Sequence, residues 1–149
     1  MLRLSKKMFY AVEAVLYIAY NSQSDPISSK VIAERQKLQP RYLEQIMQHL
    51  VRSGILRGVR GPKGGYVLAK EKRRIHVAEI CQVINGMDDF EEDQFQQTSL
   101  SELIVYPLCK DVEENVYGTL NDVTLADLCD KANALSVSRE AENSTDFMI

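Results

Sequence analysis

Residues 40–52, PRYLEQIMQHLVR, place apolar side chains at Leu43, Ile46, Met47 and Leu50, the i, i+3, i+4, i+7 repeat of a helix with one buried face. At about 100° per residue, Arg41, Glu44, Gln45, Gln48 and Arg52 gather on the opposite side. A helix of this kind must lie against a core and leave a polar face over. That face carries the side chains that pair with base edges: Arg with guanine, Gln with adenine, Glu with the cytosine amino group. Pro40 suits the first helical position, where an N–H has no partner inside the helix anyway.

The residues that follow predict a hairpin. Gly54 stands where a helix should stop, and residues 55–59 and 66–68 read as two short strands around Arg60, Gly61, Pro62, Lys63, Gly64 and Gly65. This loop is tight, cationic and poor in side-chain bulk, so its backbone can approach a sugar-phosphate surface while Arg60 and Lys63 reach into a groove. Taken apart, the two halves could be a solvated helix and an ordinary glycine-rich hairpin. Taken together, they predict a recognition helix and a wing.

Upstream, Ser5 can cap a helix running to about Tyr20, with Met8, Val12, Val15, Leu16 and Ala19 on one side. Lys6 and Lys7 fall in its first turn and oppose the helix dipole unless an anion lies near, which makes them candidate phosphate contacts. After the loop NSQSDP, Ser28 or Ser29 caps a short helix over about residues 30–37, and both serines are candidate phosphate contacts as well. Two short helices, the second with a base-reading face, then a hairpin, spell a winged helix-turn-helix. The expected fold is therefore mainly α with a small β-hairpin wing.

Net charge over the 149 residues is −3, an odd value for a nucleic-acid binder until the chain is divided. Residues 1–74 hold 15 Lys and Arg against 5 Asp and Glu, net +10; residues 75–149 hold 3 against 16, net −13. The basic half has the electrostatic footprint that attracts phosphates, and the acidic half should keep clear of them.

Beyond the basic connector KEKRR, Val77, Ile80, Cys81 and Ile84 repeat at helical spacing up to Asn85-Gly86, a helix stop. Residues 87–106 read as an acidic, glutamine-rich loop. A further helix is expected from about Pro107 to Asn121, with Leu108, Val112, Val116 and Leu120 along one side. A lone helix projecting from a small domain needs a partner for such a stripe, and a second copy of the chain is the simplest. Thr124 and Asp127 then form a capping-box pattern for a last short helix. The expected organisation is a DNA-binding domain over 1–86, the acidic loop over 87–106, the dimerisation helix and short C-terminal helix over 107–135, and a disordered tail over 136–149.

These stretches, LSKKMFYAVEAVLYIA, RYLEQIMQHLVRSGIL, VRGPKGGYVLAK, IHVAEICQVI and LNDVTLADL, resemble the bacterial winged-helix transcription regulators of the IscR/NsrR/CymR superfamily over about residues 1–130. The resemblance implies a homodimer on a palindromic operator in double-stranded DNA. It implies Arg41, Tyr42, Glu44 and Gln45 at the major groove and Arg60, Gly61, Pro62 and Gly64 at the minor groove. It also implies that the helix bearing Val112, Val116 and Leu120 crosses to the partner.

One departure bears on cofactors. Cluster-binding members of that superfamily carry three cysteines in the loop before the dimerisation helix, and residues 87–106 here contain none. Cys81 and Cys129 fall on apolar helix faces, and Cys109 falls inside the expected dimerisation helix, so all three read as small hydrophobes. A conventional iron-sulfur cluster is not expected, and no metal site is assigned. A cluster or metal with non-standard ligands, Cys109 with carboxylates for instance, stays open as an alternative. The acidic run Asp88, Asp89, Glu91, Glu92, Asp93 could suit a hard cation, but like-charge runs ordinarily form solvated loops.

No phosphate-binding loop, nucleophile elbow or His-Glu metal helix occurs, so no catalytic residue is assigned. No apolar run approaches the ~18 residues of a membrane span, and Glu13 interrupts the one N-terminal stretch that resembles a signal peptide. Three widely spaced cysteines fit a reducing cytoplasm. The expected function is a sequence-specific transcriptional regulator with an unassigned protein or small-molecule effector. The alternative from another class is a protein-interaction module on the same scaffold, working through its acidic half.

Overall fold

A computed structural model describes residues 4–22, 25–87 and 98–139. Among these residues six α-helices and one hairpin follow in order: α1 Lys6–Asn21, α2 Ser29–Gln36, α3 Pro40–Arg52, β1 Leu56–Val59, β2 Gly65–Leu68, α4 Val77–Met87, α5 Tyr106–Asn121 and α6 Leu125–Ala134. Half of the acidic loop expected over 87–106, and the last ten residues of the expected tail, lie outside the described residues.

The caps explain where the helices begin. Ser5 Oγ accepts from Met8 N–H at 3.2 Å, and Ser28 Oγ accepts from Val31 N–H at 3.3 Å, which makes Ser28 the cap of α2 and Ser29 its first residue. Thr124 and Asp127 close a full capping box on α6. Between α2 and α3 the chain turns through Lys37 in the left-handed region, φ 54°, and Leu38 N–H reaches back to Ala33 O at 2.9 Å.

The core forms where α1, α2, α3 and α4 meet under the base of the hairpin, with Ala11, Ala14, Val15, Ile18, Ile46, Leu50, Ile80 and Ile84 among its wholly buried members. Burying each Leu, Ile or Met of α3 contributes about 1.5–3 kcal/mol, so four such residues fix the roll of this helix about its axis. The strands pair antiparallel with Leu56 opposite Leu68 and Val59 opposite Gly65. A further bridge joins Ile27 to Tyr66, so the hairpin is tied to the segment that leads into α2. Gly65 permits that tie: a Cβ there would sit 2.4 Å from the carbonyl carbon of Ile27.

Three features differ from the sequence expectation. Helix α4 does not stop at Asn85-Gly86; it runs to Met87, and Asn85 Nδ2 donates to the Tyr117 hydroxyl. The helix expected from Pro107 begins at Ser99, because residues 101–105 form a π-turn in which Tyr106 N–H donates to Ser101 O. Proline lacks the N–H that would reach Leu103 O, and its ring would crowd that carbonyl; widening the preceding turn accommodates both.

Finally, α6, which the sequence grouped with the helix before it, belongs with the core. Leu125 and Cys129 are buried, Leu125 joins the core cluster, and α6 packs on α1. The first residues of the expected tail pack too: the Tyr20 hydroxyl donates to Val137 O, Arg139 Nε donates to Tyr20 O at 3.2 Å, and the Arg139 guanidinium lies 4.3 Å from the Tyr20 ring centroid.

Candidate nucleic-acid interface

On α3 the two faces separate as the spacing predicts. Leu43, Ile46, Met47 and Leu50 are 0% exposed, whereas Arg41, Glu44, Gln45, Gln48 and Arg52 are all exposed. Tyr42 stands between the faces, half-buried against the core. Burial is the first reason that the Tyr66 phenol is raised above its ordinary value, and the negative charge of Glu44 adds to it. The charge of Glu44 thus acts on Tyr66 at the base of the wing, a coupling that no spacing rule shows.

In the wing, Arg60, Gly61, Pro62 and Lys63 are exposed and Gly64 is half-buried. Gly64 N–H donates to Gly61 O at 2.9 Å, and a Cβ on Gly64 would lie 2.3 Å from Val59 O. The turn closes only with glycine there. Arg60, Gly64 and Tyr66 from the hairpin, with Ser28 and Ser29 from the start of α2, line an open groove of about 340 Å³. The structure thus brings the two serines together with the wing. Lys6 and Lys7 line no part of that groove and stand on the first turn of α1.

The expected dimer stripe is redistributed. Leu108 and Val112 are 61% and 55% exposed, Val116 is half-buried, and Leu120 packs against the chain's own core. The exposed apolar surface instead continues toward the N-terminal end through Leu100, Leu103, Ile104, Val105 and Tyr106, each at least 52% exposed. Sequence reasoning missed these because it began the helix at Pro107, although the i, i+3, i+4 spacing of Leu100, Leu103, Ile104 and Leu108 was there to be read.

Among the described residues no three His, Cys, Asp or Glu side chains stand close enough to hold a metal ion. Burial pushes the Cys81 thiol up to about 11 and also raises that of Cys129. No helix among the described residues is long and apolar enough to cross a membrane.

Residues 4–131 match the Rrf2 family, whose description is iron-dependent transcriptional regulator. The chain belongs to the Rrf2 family. It is 34% identical over 144 residues to the HTH-type transcriptional regulator IscR of Cronobacter sakazakii, a match covering 95% of this chain and 89% of that relative. Among solved structures it is similar to T. potens IscR, with a TM-score of 0.71, 32% identity, and coverage of 95% and 96% of the two chains. It is also similar to CymR, the global cysteine regulator of B. subtilis, with a TM-score of 0.67, 30% identity, and coverage of 88% and 98%. This Rrf2-family chain is a DNA-binding winged-helix transcription regulator.

Proposed function

We propose that two copies of this chain read a palindromic operator, each laying α3 in the major groove and its wing in the adjacent minor groove. One observation carries the reading: the face of α3 opposite its four wholly buried residues is exposed and consists of Arg41, Glu44, Gln45, Gln48 and Arg52. In this arrangement Arg41 and Arg52 suit guanine, Gln45 and Gln48 suit adenine, and Glu44 accepts from cytosine. Arg60 and Lys63 occupy the minor groove, while Ser28 and Ser29 hold phosphates at the α2–wing groove. The apolar surface from Leu100 to Val112 supplies the contact between copies, since exposed apolar area of that continuity marks an interface. The protein acts in the cytoplasm.

Selection of bound sequences from random duplex DNA tests this, using protein purified with and without air. The expected result is an inverted repeat enriched in both preparations. Failure to enrich any sequence refutes the reading.

We infer further that the operator is read without a conventional iron-sulfur cluster, a view supported by the burial of Cys81 and Cys129 and the lack of cysteine in residues 87–106. The iron-dependent description of the family favours a second reading, in which a metal or cluster is held by non-standard ligands. Iron analysis of anaerobically purified protein separates the two. Colourless, metal-free protein with full operator affinity removes the second.

A further inference from the structure

Helix α5, which carries much of the exposed apolar surface, is joined to the DNA-binding head at a histidine. His76 immediately precedes α4, and its ring Nδ1 lies 2.7 Å from the main-chain oxygen of Asn121, the last residue of α5. A carbonyl only accepts, so Nδ1 carries a proton and donates it. The backbone of the same residue joins two more elements. It bridges Thr124 at the start of α6, flanked by Val77 N–H to Val123 O and Leu125 N–H to Ile75 O, both 2.9 Å. Its own N–H donates to Glu79 Oε1 at 3.3 Å, and the other oxygen of Glu79 holds Lys70 Nζ at 2.7 Å.

The last four carbonyls of any helix lack partners within it. Here the head claims one of them through a side chain, so the ring restrains the end of α5. Tyr117 and Leu120 also anchor this end, through the Asn85 amide and by packing on the core.

We propose that His76 is a positioning residue that sets the direction in which α5 leaves the head, and through it the half-site spacing that two copies can read. The inference rests on the two-copy reading above. Residues 99–121 are continuously helical, a length of about 34 Å. A tilt of about 5° at its root moves the far end by about 3 Å, close to the rise of one base pair, about 3.4 Å. Helix-turn-helix dimers require their half-sites at a fixed separation. A small change of angle is therefore readable as a change of spacing preference.

The test uses the full chain and the inverted repeat obtained by selection, together with duplexes in which the spacing is one base pair longer or shorter, and a single half-site. Wild type is expected to prefer the selected spacing. His76→Gln and His76→Phe should reduce that preference about fivefold, the net worth of one hydrogen bond, with half-site affinity within about twofold of wild type. His76→Asn places an amide nitrogen where Nδ1 stands and should keep the wild-type preference. Should the Phe variant fail to fold, the Gln and Asn pair decides. Gln and Phe variants that discriminate spacings as wild type does overturn the proposal, as does a loss of half-site affinity equal to the loss on the full site. A wild-type chain with no spacing preference refutes the two-copy reading itself, and the role of His76 falls with it.

Discussion

Glu44 is the only anion on a recognition face otherwise made of Arg and Gln, and it is fully in reach of solvent. On the proposed reading, a carboxylate there would attract the cytosine amino group and repel the acceptor atoms of other bases, and so act chiefly by excluding sequences. Glu44→Ala should leave affinity for the best operator within a few-fold while lowering discrimination at one base pair by about 1–3 kcal/mol. Competitive binding against operators substituted at each position reads this directly; an unchanged ranking refutes the base-reading role. Arg60 should behave oppositely. Arg60→Ala should weaken all duplexes alike and lower the slope of log affinity against log salt by about 1, as for a single lost phosphate or groove cation. The difference between these two residues was legible in the sequence, because a period of about 100° per residue already assigns Glu44 to the outer face of a helix. The role of His76 was not. Its partner is a carbonyl 45 residues away, and no local spacing encodes that meeting.

Among elements, the short helices are held by their ends. Ser136 adopts φ 56°, and just past the end of α6 this allows Val137 N–H to reach Ala132 O at 3.0 Å. A non-glycine residue in this conformation costs about 1 kcal/mol. Ser136→Gly should stabilise the fold by about that amount, raising the Tm by a few degrees without changing DNA affinity. The start of α4 makes a pH prediction. Burial alone would raise the Glu79 carboxyl, but the hydrogen bond from Lys70 and the His76 N–H outweigh it and hold the group below its ordinary 4.5. A depressed carboxylate contributes stability that is complete above its ordinary value and lost as pH falls through the lowered one. The Tm of wild type should therefore drop as pH falls below the ordinary 4.5, and that of Glu79→Gln should drop less; parallel curves would refute it. Caps such as Ser5, Ser28 and Thr124 could be read in advance since they act within three residues. The π-turn at residues 101–105 could not, because proline marks both helix starts and tolerated interior kinks.

For the whole molecule, the segregation of +10 from −13 was plain in the sequence, but the position of α6 was not, since Leu125 finds its core partners on α1 more than a hundred residues earlier. The consequence is a head that includes α6, from which helix 99–121 carries its apolar surface outward. Leu103 and Leu108 are 71% and 61% exposed and are not members of the core cluster that holds the head together. On the two-copy reading, replacing both by Glu should leave the fold intact and give monomers, seen as a halving of mass in solution. A monomer engages one half-site and so neutralises about half the phosphates. Counterion release sets the slope of log affinity against log salt at about −0.9 per phosphate contacted, so Leu103→Glu with Leu108→Glu should halve the slope as well as weaken binding. Loss of affinity at an unchanged slope would mean that one copy already makes all the contacts with DNA, and that the apolar surface of this helix faces some other protein.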